Sequence, residues 1–235
     1  MTALTSLAAS VGRTASLGPP PRGRRSTAPL FIAILFAAAM AINGVAGFNA
    51  VARAGRGPME TTTAMVDQAL GVLRDTHTPL AERRRQLRAV IEPSFNFTAM
   101  SRSALGYHWR SLDPDQRANF TRLFTAFIED AYLSKIQNYS GQQVVIVKQV
   151  SLGEGYAEVD TKIVQQGKDP ILVNYLLEEH DDDWKIYDVT VDAISITENY
   201  RNQFNRVMNE SGFDKLMADL TAKQQELASS LGNPS

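Results

Sequence analysis

The chain has no cysteine at all, which removes disulfide frameworks, thiolate metal sites, iron–sulfur clusters and cysteine nucleophiles together. It is nearly as poor in histidine: His77, His108 and His180 fall in three different segments, none with a metal-ligand partner at HxxxH or HxxE spacing. No metal site is expected. An excess of charge of one sign is also missing, since 24 basic residues face 25 acidic ones, so the whole chain carries no electrostatic footprint for nucleic acid. A phosphate-cradling glycine loop and a GxSxG elbow are absent too. Gly153 and Gly155 sit in a hairpin signal with no helix after them. What remains is 235 residues, 44% of them apolar, enough to bury one sizeable core.

One long uncharged run does occur. Residues 1–25 are rich in Pro, Gly and Ser, hold no acidic residue and end in Arg22, Arg24 and Arg25. This composition cannot bury enough apolar surface to fold. An apolar stretch of about 13 residues follows, from Leu30 to Ile42, with a basic flank before it and small residues after it. The pattern predicts an export signal over residues 1–54, cleaved after Ala54 in Ala52-Arg53-Ala54 or after Ala46. Extending the run to Val51 gives the other reading, an uncleaved membrane anchor. Either way the folded part is expected outside the cytoplasm.

Beyond Pro58 the periodicity predicts one α+β domain over residues 60–229 and a short C-terminal tail over 230–235. Met65, Val66, Ala69, Leu70 and Leu73 recur at helical spacing, and Thr78-Pro79 opens a second helix that ends at Pro93. Its Arg83-Arg84-Arg85 reads as a solvated face rather than an anion patch. A short helix from Thr98 stops at Gly106. Asp113-Pro114-Asp115-Gln116 is a capping box opening a long helix with an apolar stripe from Phe120 through Phe124 and Phe127 to Ile136.

Four strand signals then follow at hairpin spacing: 143–151, 156–166, 171–179 and 184–191. Such short connections make the strands antiparallel, a four-stranded meander. Alternation puts Val159, Tyr175, Tyr187, Val189 and Val191 on one apolar face, and the helices before and after are expected to pack on it. A helix from Thr197 and another from Ser211 complete the chain.

Paired carboxylates offer little chemistry. Asp113/Asp115 belong to a helix cap and residues 181–183 to a turn, while Glu129/Asp130 has no assigned role. Asp188 and Asp192, near the end of the last strand, leave one enzyme reading open: an exported NTF2-like protein with a pocket carboxylate as base. A membrane-anchored interaction module is the third.

Several segments together resemble the MlaC family, also called the toluene-tolerance family, of phospholipid-binding auxiliary proteins of ABC transporters. They are Phe95-Asn96-Phe97-Thr98-Ala99-Met100, Ala104-Leu105-Gly106-Tyr107-His108-Trp109-Arg110, Gln116 to Phe120 with Phe124 and Phe127, Tyr139-Ser140-Gly141, Trp184 to Ser195, and Asn199 to Phe204. The resemblance covers about Met65 to Leu227 and implies an NTF2-like fold with an apolar cavity between sheet and helices. It implies a periplasmic carrier without catalysis or cofactor, shuttling phospholipid between an inner-membrane ABC transporter complex with its substrate-binding subunit and an outer-membrane lipoprotein complex. Members linked to hopanoid export share the scaffold. The implied lipid-binding lining is Leu105, Tyr107, Phe124, Phe127, Val159, Tyr175, Val189 and Val191. One departure stands out: Asp192-Ala193 replaces a common Glu-Gly pair, so the turn after the fourth strand is expected to differ.

Overall fold

The computed structural model describes residues 56–133, 139–181 and 183–232. The expected export signal or anchor, with both candidate cleavage sites, lies outside them. No helix of the described residues is long and apolar enough to cross a membrane.

Helix α1 (Pro58–Arg74) begins with proline at its first position, where the missing N–H would have had no partner. Helix α2 (Leu80–Ile91) lies against it and runs into a 3₁₀ turn at Glu92–Ser94. The arginine run on α2 is not uniformly solvated. Arg85 pairs with Glu82 at the surface, but Arg84 is buried and donates to the Leu231 carbonyl at 2.5 Å. Helix α3 (Phe97–Leu105) is capped by Asn96, whose Oδ1 accepts from the Ala99 amide at 2.9 Å. Gly106 at φ 56° ends it and a 3₁₀ turn, Gly106–Ser111, follows. Helix α4 (Pro114–Leu133) opens on the capping box read from the sequence: the Gln116 amide donates to Asp113 and the Asp113 amide donates back to Gln116.

The sheet has five strands in the order β1-β2-β3-β4-β5, all antiparallel, where four were expected. They are β1 (Gln143–Gly153), β2 (Tyr156–Val164), β3 (Ile171–His180), β4 (Asp183–Val191) and β5 (Ile194–Ser195). Two residues of β5 are too few to show an alternating pattern. The turn before it is also disguised, because Asp192 (φ 47°) and Ala193 (φ 64°) take the left-handed conformation that Asn-Gly would have advertised. Asp192 secures that turn through two bonds with Leu172: its amide donates to the Leu172 carbonyl at 2.9 Å and its carboxylate accepts from the Leu172 amide at 3.1 Å.

Register departs from simple alternation in β4. Leu176 pairs with Asp188 but Leu177 with Ile186, so Tyr187 is the extra residue of a bulge. It does not face the core as its parity predicts. Instead it meets Tyr156 edge-on with ring centroids 5.9 Å apart, and Ile186 is the fully buried residue.

Helix α5 (Ile196–Gly232) covers the span expected for two helices and is broken at Gly212, whose φ 80° and ψ −177° belong to a region open essentially to glycine alone. The tail read from residue 230 is helical as far as Gly232. The core lies between the inner sheet face and α1, α3, α4 and α5.

Where α2, α4 and the end of α5 meet, charge is buried. Arg88 pairs with both Glu129 and Asp130, and Gln224 donates to Asp130 at 2.9 Å. Glu129 Oε1 is buried without a partner. Burial raises the Glu129 carboxyl to about 7 despite the opposing pull of Arg88, with Glu92 and Asp130 adding repulsion.

Two predictions follow from these contacts. Ala193→Gly relieves a left-handed alanine and is expected to stabilise the fold by about 0.5–1 kcal/mol, read as a melting temperature higher by roughly 2–4 °C. At Glu129, the folded state holds a proton that the unfolded chain releases near its ordinary value of 4.5. Its contribution to stability is therefore present below about 4.5 and is lost as pH rises to about 7. Urea midpoints at pH 5 and pH 8 should show the parent weakening with pH relative to Glu129→Gln. Parallel curves for the two proteins would contradict this.

Candidate functional site

The inner sheet face presents Ala157, Val159 and Ile163 from β2, Val173, Tyr175 and Leu177 from β3, and Ile186 and Val189 from β4, all buried. The pleat places Val159, Tyr175 and Val189 side by side across three strands, as the pairings Val159 to Tyr175 and Tyr175 to Val189 show. Opposite them, α4 contributes Phe120, Phe124 and Phe127 and α5 contributes Tyr200 and Phe204. The rings fall at i, i+4 and i+7 on α4 and at i, i+4 on α5, so each helix presents one ridge of rings. Phe124 stacks on Phe120 at 5.5 Å and meets Tyr200 and Phe204 edge-on, each at 5.6 Å. Phe127 meets Tyr200 edge-on at 5.4 Å. These offset and edge contacts are the favourable aromatic arrangements, worth about 0.5–1.5 kcal/mol each beyond burial.

Of the eight expected lining residues, Leu105, Phe124, Phe127, Val159, Tyr175 and Val189 come together in this one buried cluster, and half-buried Val191 packs against it. Tyr107 is elsewhere. It stands 63% exposed on the 3₁₀ turn after α3, its hydroxyl bonded to Asn209 at 2.8 Å. Tyr200, Phe204 and Ile186 belong to the cluster but were not among the expected residues. The i, i+4 spacing of Tyr200 and Phe204 was the available signal; the bulge concealed Ile186.

Tyr175 and Tyr132 bring phenol hydroxyls into this apolar interior. The phenol oxygens of Tyr175 and Tyr132 are buried and have no hydrogen-bond partner among the described residues. Burial drives the acid dissociation of both far above the ordinary tyrosine range, and Tyr200 and Asp188 near Tyr132 push in the same direction. Both therefore remain neutral donors. An unsatisfied buried hydroxyl costs about 1–3 kcal/mol, so the fold keeps these phenols in place against its own stability.

The carboxylates of the enzyme reading are engaged structurally. Asp188 Oδ1 accepts from the amides of Val189 (2.8 Å) and Thr197 (3.1 Å), and Oδ2 accepts from Ser195 Oγ at 2.5 Å. Ser195 Oγ in turn accepts from the Glu198 amide at 3.0 Å. Asp188 thus ties β4 to the first turn of α5. Asp192 is exposed in its turn and bonded to Leu172. No group of three or more metal-ligating side chains occurs among the described residues.

Replacing Asp188 by Ala removes three acceptor contacts from a buried strand-to-helix junction and is expected to cost about 1–3 kcal/mol, seen as a lower denaturant midpoint. Asp192→Ala, at an exposed turn, should cost less than Asp188→Ala in the same titration.

A solved phospholipid-binding protein from Ralstonia solanacearum, determined in complex with a phospholipid, superposes with a TM-score of 0.65 at 23% identity. The match covers 72% of this chain and 97% of that one, and it establishes the shared fold. In sequence, the intermembrane phospholipid transport system binding protein MlaC of Haemophilus influenzae is 28% identical over 141 residues, 58% of this chain. That alignment spans 64% of the relative's length. The protein-family model for MlaC protein matches residues 63–222, more than half of the sequence and every element from the second turn of α1 to the second half of α5. The chain belongs to the MlaC family.

Proposed function

We propose that this protein is a non-enzymatic phospholipid carrier of the periplasm, taking acyl chains into the space between the sheet and helices α3, α4 and α5. One observation carries the reading: Tyr175, in the middle of β3, holds a wholly buried hydroxyl that no atom of the described residues satisfies, amid aliphatic and aromatic side chains. A polar atom at the glycerol end of a lipid, an ester oxygen for example, is a partner of suitable size and polarity. The names borne by the H. influenzae relative and the Ralstonia neighbour agree with this cargo.

The energetics are those of balance. Each methylene moved from water to an apolar interior gains about 0.8 kcal/mol, which matches what the bilayer itself provides. The headgroup left in water avoids a desolvation penalty. Uptake and release would then be directed by partners, an inner-membrane ABC transporter complex with its substrate-binding subunit on one side and an outer-membrane lipoprotein complex on the other. The domain over residues 60–229 would be the carrier unit, and the segment before it the export signal.

The test is lipid extraction and mass spectrometry on the purified protein, with a hopanoid standard included. Co-purified phospholipid is the expected result. Protein that is lipid-free and also fails to take lipid from vesicles would overturn the reading. Val159→Trp, which fills the space beside Tyr175, should lower occupancy without unfolding the protein. Tyr175→Phe should stabilise the lipid-free form by about 1 kcal/mol while weakening lipid retention.

A further inference from the structure

We propose that the turn Gly106–Ser111, led by Tyr107 and Arg110, is an anchor that seats the protein on an anionic phospholipid bilayer; the proposal rests on the carrier reading above. Tyr107 is the most exposed large hydrophobic side chain among the described residues. It is also held in place. Its hydroxyl donates to Asn209 of α5 at 2.8 Å, and its ring lies 4.0 Å from that of His108, which bonds Asn205 at 2.9 Å. Packing of the core does not require the ring, yet two contacts from α5 fix the turn that displays it.

The rest of the turn is built to match. Trp109 is half-buried with the Arg117 guanidinium 5.6 Å over its ring, and Arg117 donates to the carbonyls of Trp109 (3.0 Å) and Arg110 (3.2 Å). The backbone is thereby pinned and the Arg110 side chain left exposed. Gly106, at φ 56° with Arg201 Cδ 3.4 Å from where a Cβ would stand, lets the chain turn sharply out of α3. Arg102 and Arg206, on the helices either side, are exposed as well.

Charge decides what this surface fits. From Pro93 to Leu112 the sequence contains no aspartate or glutamate, while Arg102, Arg110 and His108 lie within it. Tyrosine and tryptophan favour the headgroup region, where one end of the ring is apolar and the other wet. Arginine beside them meets lipid phosphate, each cation contributing about 1 kcal/mol at an anionic surface, or roughly fivefold in partitioning. Because the tyrosine is already ordered by Asn209, seating it costs little side-chain entropy.

Flotation with phosphatidylglycerol vesicles and with phosphatidylcholine vesicles tests this on the purified full chain. The parent should float preferentially with phosphatidylglycerol, and less so at high salt. Tyr107→Ser combined with Arg110→Ser should reduce that partitioning at least tenfold with an unchanged urea midpoint, while Tyr107→Phe, which keeps the ring, should retain most of it. A parent that ignores phosphatidylglycerol, or a double variant that binds as the parent does, overturns the proposal and leaves the turn to a protein partner. Lipid content by mass spectrometry keeps the two readings apart: the double variant should still carry co-purified lipid, a parent without any lipid sinks the carrier reading, and a lipid-loaded double variant that still floats as the parent does sinks this proposal alone.

Discussion

Burial of one sheet face against four helices is the constraint from which the other features follow. The sheet's inner residues are aliphatic apart from Thr161 and Tyr175, and Thr161 satisfies its hydroxyl on the Val173 carbonyl at 2.8 Å. An antiparallel sheet tolerates water on its other face, so all the helices must share the remaining one. Crowding them there brings α4 and α5 into contact along their ring-bearing ridges, and it forces Arg84, Arg88, Glu129 and Asp130 into partial burial where α2, α4 and α5 converge. Charge at that junction is a by-product of covering the sheet.

Much of this was legible from local chemistry. The Asp113/Gln116 capping box names its own two bonds, and the hairpin loops leave antiparallel pairing as the one arrangement they can span. The stripe Phe120, Phe124, Phe127 required a large apolar surface opposite, and the sheet supplies it. What escaped notice involved a change of parity or of backbone region. Tyr187 moved to the outer face because one inserted residue reverses alternation, and no residue type marks a bulge of this kind. The two-residue β5 escaped because Asp192-Ala193 closes a tight turn at positive φ without glycine.

Tyr107 shows a different limit. An aromatic between Leu105 and Trp109 reads as core because aromatic residues usually are, and only the three-dimensional path of the 3₁₀ turn, set by Gly106, carries it outward. Asp188 illustrates the converse. A buried carboxylate near a strand end invites a catalytic reading until its acceptors are found to be spent on Val189, Ser195 and Thr197.

The contact between Arg84 and the Leu231 carbonyl joins positions 147 apart, and Leu216 and Leu220 of the last helix are core residues. A chain made from its N-terminus can pair every strand before those residues exist. It cannot close the interior until residues 216–231 arrive. During that interval the apolar sheet face and the rings opposite it meet solvent, so the vulnerable species in the life of this protein is the chain whose sheet is already paired and whose covering by residues 216–231 is not.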